Sequence, residues 1–132
     1  MKLLLDTHTL LWAIGKTCEL SETAIHELKN PHNEVMVSAV SLWEIAVKKS
    51  IGKLIIDFNV ESIPEYCKKM GFVLIPLEPE DALSSLQLPF RNNHKDPFDR
   101  MLIYQCIKNK YTFVSNDVKI TTYAEDGLKY LW

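Results

Sequence analysis

The sequence predicts an α/β protein built on a mostly parallel sheet of four to five strands. Three observations predict it. Short apolar runs rich in β-formers recur along the chain, stretches with helical periodicity separate them, and Pro, Gly or a capping residue punctuates most of the boundaries. With 132 residues, 47% of them hydrophobic and 24% charged, the composition excludes a disordered or fibrous chain. The length suits one domain (1–132) around one core.

The elements follow in order. Residues 2–5 form a continuous apolar strand ending at Asp6. Ser21 caps a helix that runs to about residue 30, where Pro31 stops it. Residues 34–37 form a second strand ending at Ser38, which caps a helix running to Ser50 with Gly52 closing it. Val60, Ile63, Cys67 and Met70 share one face of a further helix. Residues 72–75 form a third strand between Gly71 and Pro76, and Pro79 opens a short helix to about Leu86. The polar loop LPFRNNHK follows. Asp96 before Pro97 then gives an N-cap and a first-turn proline for a helix to about Asn109. Residues 111–115 are a fourth strand and residues 128–131 a fifth at an edge.

Charge and cysteine usage narrow the class. Fifteen Lys and Arg against seventeen Asp and Glu leave a net charge of −2, so no broad basic surface advertises nucleic acid. Cys18, Cys67 and Cys106 are odd in number and lack CxxC spacing, the pattern of reduced thiols in the cytoplasm. No segment approaches the roughly 20 apolar residues needed to cross a bilayer. The opening MKLLLDTHTLLWAIG, interrupted by Asp6 and His8, does not read as a secretory leader.

Sites in open parallel sheets form outside the carboxyl ends of the strands. Asp6 closes the first strand and Asp117 follows the fourth by two residues. Glu44 lies on the apolar side of its helix with Val40 and Val47, where an unpaired charge is costly. Asp99 occupies the first turn of its helix on the stripe of Leu102 and Ile103. Four acids thus converge on one sheet edge, and such a cluster raises its own pKa values unless a cation holds it together. Oxygen-only ligands suit Mg²⁺ or Mn²⁺ better than zinc. Each acid alone has an ordinary explanation as a cap or turn residue; the four together are specific.

Four segments carry a family resemblance: LLLDTHTLLWA, VSAVSLWEIAVKKSIGKL, HKDPFDRMLIYQC and TFVSND. In this order and spacing the chain resembles the PIN-domain ribonucleases over essentially its whole length, and within them the VapC-like toxins of toxin–antitoxin pairs. The resemblance implies a three-layer α/β/α sandwich and metal-dependent endoribonuclease activity, with Mg²⁺ as cofactor and Mn²⁺ able to substitute. It implies Asp6, Glu44, Asp99 and Asp117 as the catalytic, metal-holding acids. Thr7, Ser115 and Asn116 become candidates for hydrogen bonds that support them. It further implies RNA as substrate, an antitoxin protein as partner and a homodimer.

In HKDPFDR the resemblance assigns catalysis to Asp99, and Asp96 reads as the helix cap. His94 has two readings, at the site mouth or as a solvated loop residue, and the second is the commoner one for a loop histidine. Lys48 and Lys49 read as a solvated helix end favoured by the dipole. Arg100 is expected to pair with an acid. With the four site acids set aside, fifteen basic residues face thirteen acidic ones. Lys48, Lys49, Lys53, Arg91, Lys95 and Arg100 then flank the motifs as candidate contacts to RNA backbone. Leu10, Leu11, Trp12, Ile14 and Trp43 read mainly as helix core, with one or two of them available to an antitoxin.

Two other classes compete. A phosphatase of the haloacid-dehalogenase type also opens on a strand ending in Asp but needs an acid two residues later, where His8 stands. A catalytically silent protein-binding module would keep the fold and dispense with the acids.

Overall fold

The computed structural model describes all of residues 1–132. Five strands, β1 (Lys2–Leu5), β2 (Glu34–Ser38), β3 (Val73–Ile75), β4 (Thr112–Val114) and β5 (Lys129–Leu131), form one sheet in the order β3-β2-β1-β4-β5. Every pairing is parallel, with Leu3 beside Val35 on one side and Thr112 on the other. Such a sheet needs cover on both faces, which is why the central strands read as unbroken apolar runs. Leu3, Leu4 and Leu5 are all fully buried, each contributing roughly 2 kcal/mol of transfer free energy.

The alternation of the pleat splits this burial in two. Leu3, Leu5, Val35, Val37 and Val114 face a cluster with Leu10, Ala24, Ile63 and Cys67. Leu4, Met36 and Phe113 face another with Leu102, Ile103, Ile120 and Tyr123. The single core expected from chain length is therefore two apolar layers, one on each side of the sheet, and the architecture is a three-layer α/β/α sandwich. On the first face lie α1 (Thr7–Gly15), α2 (Glu22–Lys29) and α4 (Ile63–Lys69); on the second lies α6 (Pro97–Asn109). Helix α3 (Ala39–Ser50) serves both, with Ile45 in the first layer and Val40 in the second. It therefore bridges the two layers, starting where β2 ends.

Several helix starts match their sequence signals. Ser21 accepts from the Ala24 amide, Ser38 from that of Val40, and Asp96 from those of Phe98 and Asp99. Other boundaries differ. The segment opened by Pro79 is α5 (Pro79–Ser84) followed by a 3₁₀ turn over Ser85–Gln87. A nine-residue 3₁₀ stretch, Val118–Asp126, which the periodicity did not reveal, precedes β5. Short capped turns such as these leave no 3.6-residue stripe to read. No helix is long and apolar enough to cross a membrane.

Candidate active site

The chain runs outward from β1 through β2 to β3, then returns to the other side of β1 as β4. Strand order reverses between β1 and β4, the position where open α/β sheets form their crevice. The Asp6 amide donates to the Val114 carbonyl at 3.0 Å, extending the ladder one residue and setting Asp6 beside Ser115. Around this point lies a cleft of about 390 Å³ lined by Asp6, Glu44, Asp99 and Asp117, with His8, Trp12, Lys48 and Asn116. The four acids singled out from the sequence thus share one cleft on one edge of the sheet.

Each acid is held differently. Asp6 caps α1: its Oδ1 accepts from the Thr7 amide at 2.7 Å and its Oδ2 from the Ser115 hydroxyl at 2.7 Å. Burial, opposed by those hydrogen bonds, leaves its carboxyl above the usual range. Glu44 is 2% exposed. Its Oε1 accepts from the Thr7 hydroxyl at 2.5 Å, and its Oε2 pairs with the Lys48 ammonium one turn along. Thr7 thus serves two acids at once, with its amide on Asp6 and its hydroxyl on Glu44. Ser41, a residue without a sequence signal, lies 3.2 Å from the same hydroxyl. Asp117 caps the 3₁₀ stretch, accepting from the Lys119 amide at 2.9 Å, while its own amide donates to Ser115 Oγ at 3.2 Å.

Asp99 carries the largest electrostatic load of the four. Burial first, then the negative charges of Asp6, Asp96, Glu44 and Asp117, push its carboxyl up to about 8. The neighbouring Asp96 behaves as a cap, with its Oδ1 accepting from the Phe98 and Asp99 amides at 2.9 and 3.1 Å. Asn116 lines the cleft but is exposed, whereas Ser115 is buried behind Asp6.

Three expectations are corrected here. His94 is 5% exposed instead of solvated: its Nε2 lies 3.3 Å from Asp99 Oδ2 and its Nδ1 3.1 Å from the Tyr123 hydroxyl. Lys48 faces the cleft on Glu44, 3.9 Å from Asp96, and is not a solvated helix end. Arg100 meets no acid. It donates to the carbonyls of Leu88 and Pro89 and to the Tyr123 hydroxyl, and stacks 4.0 Å from the Phe90 ring. Of the other basic residues flanking the motifs, Arg91 is tied to Asp126 by two hydrogen bonds, while Lys49, Lys53 and Lys95 stay exposed. Leu10 is core and Leu11, Trp12 and Ile14 pack against it, but Trp43 is 61% exposed. Trp43 borders a mainly apolar hollow of about 610 Å³ with Leu86, Phe90 and Met101.

The donor set fits a hard divalent cation. Four carboxylates meet in one cleft whose other lining includes the Lys48 ammonium and the His8 ring, while His94, beside Asp99, is held toward the neutral form by burial. No cysteine lines the cleft, so the chemistry is that of oxygen ligands.

The fold and site define a class: parallel α/β sandwiches with an acidic cleft at the topological switch point of the sheet. The family model for the PIN domain matches residues 3–126. The chain belongs to the PIN-domain family. Among solved structures it is similar to VapBC2 from Rickettsia felis bound to a DNA fragment from their promoter, with 15% identity over 99% of this chain and 98% of that one and a TM-score of 0.68. It is also similar to FitAcB from Neisseria gonorrhoeae, with 14% identity over 98% and 96% and a TM-score of 0.61. VapBC-1 from nontypeable Haemophilus influenzae gives 14% over 99% and 97%, with a TM-score of 0.55. At these identities the likeness concerns the fold. No curated protein sequence matches the chain.

Proposed function

We propose that the protein is a divalent-metal-dependent endoribonuclease that hydrolyses RNA phosphodiester bonds, and that it is the toxin of a toxin–antitoxin pair. The observation that carries this reading is the gathering of Asp6, Glu44, Asp99 and Asp117 in one cleft with too little cationic charge to balance them. Family membership and the sandwich's likeness to the VapBC and FitAcB structures support it. The motif resemblance adds the expected antitoxin partner, homodimer and cytoplasmic setting.

Asp6, Glu44 and Asp99 would hold Mg²⁺ or Mn²⁺, with Asp117 completing the set or orienting a water. The chemistry such an ion supplies is Lewis-acid activation of a water and neutralisation of charge on the scissile phosphate. The chain's own contribution is orientation. Thr7 fixes Asp6 and Glu44 relative to one another, and Ser115 turns the second oxygen of Asp6. Lys48 keeps positive charge at the cleft, and Lys53 and Lys95 lie exposed for RNA backbone.

The test is RNA cleavage by the purified protein in Mn²⁺ and in EDTA, with Asp99→Asn alongside. Wild type is expected to cleave only with metal. The variant should lose at least about 100-fold, the usual size of such an electrostatic contribution. A folded wild type that binds the ion but cleaves no RNA would favour the silent binding module.

A further inference from the structure

The cleft has a buried polar chain behind it whose donors and acceptors can be ordered. Arg100 Nη1 lies 3.1 Å from the Tyr123 hydroxyl, which lies 3.1 Å from His94 Nδ1, and His94 Nε2 lies 3.3 Å from Asp99 Oδ2. Arg100 has no acceptor, so it donates to the Tyr123 oxygen. Tyr123 is fully buried, and its hydroxyl proton needs a partner. Of the two groups in reach of that oxygen only His94 Nδ1 can accept. The neutral imidazole then carries its proton on Nε2, facing the carboxylate.

Resting on the metal-site reading above, we propose that His94 is a positioning residue. Its Nε2–H holds one oxygen of Asp99, in a tautomer fixed by Tyr123 and Arg100, and leaves the other oxygen to the ion. The distinction matters because one ligand atom each from His94, Asp99 and Asp117 lies within 4.8 Å of the others, a set that by distance alone resembles a metal-binding trio. A protonated Nε2 has no lone pair to give. The ring donates to a ligand and is not one itself.

The fold builds this arrangement locally. Asn92 and Asn93 both have left-handed φ, +49° and +54°, and the His94 amide donates to the Arg91 carbonyl at 2.8 Å. This is the pattern of a type I′ turn, which Asn tolerates. The turn reverses the polar loop so that His94 points inward. Arg91 then anchors the turn through both nitrogens of its fork to Asp126, at the end of the 3₁₀ stretch that carries Tyr123. The His94 and Tyr123 rings meet edge-on at 5.6 Å.

Two measurements test this. Long-range ¹H–¹⁵N spectra at pH 9 in EDTA, assigned with His94→Gln, report the tautomer without metal or RNA; the expected state is Nε2–H, lost or mixed in Tyr123→Phe. Mn²⁺ titration without RNA, followed by electron paramagnetic resonance, should give a Kd about 10- to 100-fold weaker for His94→Leu, the usual cost of losing a hydrogen bond behind a ligand. His94→Gln, whose amide can donate from the Nε2 position, should stay within about 3-fold of wild type, and melting curves identify folded variants. An Nδ1–H tautomer in a wild type that binds Mn²⁺, or a folded His94→Gln that binds as weakly as His94→Leu, overturns the inference alone. A wild type with the Nε2–H tautomer that binds no Mn²⁺ overturns the metal-site reading, and the positioning role with it.

Discussion

Removing the charge of Asp99 should stabilise the ion-free protein by an amount that grows with pH. Burial, and then four neighbouring acids, raise this carboxyl from 3.8 to about 8. The folded protein therefore keeps a proton that the unfolded chain releases, and stability falls as pH climbs from about 4 to about 8. The difference in proton affinity sets a ceiling of about 6 kcal/mol. The side chain keeps 24% exposure, and water at the cleft mouth screens the repulsion, bringing the expected change to about 2 kcal/mol. For a chain of this length that is about 6 °C in melting temperature. Asp6, also raised by burial, titrates in the same sense. His94, pushed down by burial, works oppositely, its contribution rising as pH approaches 6.5 from below. The difference between Asp99→Asn and wild type isolates Asp99. Melting both in EDTA from pH 3 to 9 should show near-equal stability at the acid end and the variant ahead at pH 9. Millimolar Mg²⁺ should raise wild type and close the gap, because ligand binding to the folded state adds stability. A variant that melts at or below wild type at pH 9 would refute the account of burial and repulsion.

Two further substitutions separate support from chemistry. Asp96→Ala should cost about 1 kcal/mol in denaturant unfolding through loss of the α6 cap, whereas Asp96→Asn should keep most stability and most cleavage; an inactive Asp96→Asn would mean that the two acids of HKDPFDR had been assigned the wrong way round. Thr7→Val keeps the amide on Asp6 but removes the hydroxyl from Glu44. It should lower Mn²⁺-dependent cleavage about 10-fold with the fold intact, and Thr7→Ser should restore it.

The sheet was legible because its central strands are buried on both faces and so appear as unbroken runs such as LLL and VMV. Glu44 was legible because an acid between Val40 and Val47 is anomalous for core packing. Lys48 was misread although a signal existed: four residues after Glu44 on one helix, it shares the same face. His94 was misread because a histidine in a polar loop normally faces water; the available cue was the Asn-Asn pair before it, which permits a tight left-handed turn. Arg100 carried no cue. Its partners are backbone carbonyls 11 and 12 residues away, and only the tertiary path of the loop brings them there. Ser41 was missed for the same reason, since its neighbour Thr7 is 34 residues distant.

Clustering four carboxylates is unfavourable, and the topology explains how the chain tolerates it. Helix α1 starts directly after β1 and α3 directly after β2, while α6 begins with the turn that carries Asp99. Helix N-termini carry partial positive charge and free amides, which favour nearby acids. Asp6 takes the first amide of α1, and Asp96 takes two amides at the start of α6. Glu44, six residues into α3, is too far along to share this and instead recruits Thr7 and Lys48. Asp99 receives neither an amide nor a lysine; the polar hydrogen in its reach comes from His94. The acid least compensated by the chain is thus the one whose carboxyl is pushed furthest up, and it is where a divalent cation would bring the greatest electrostatic relief.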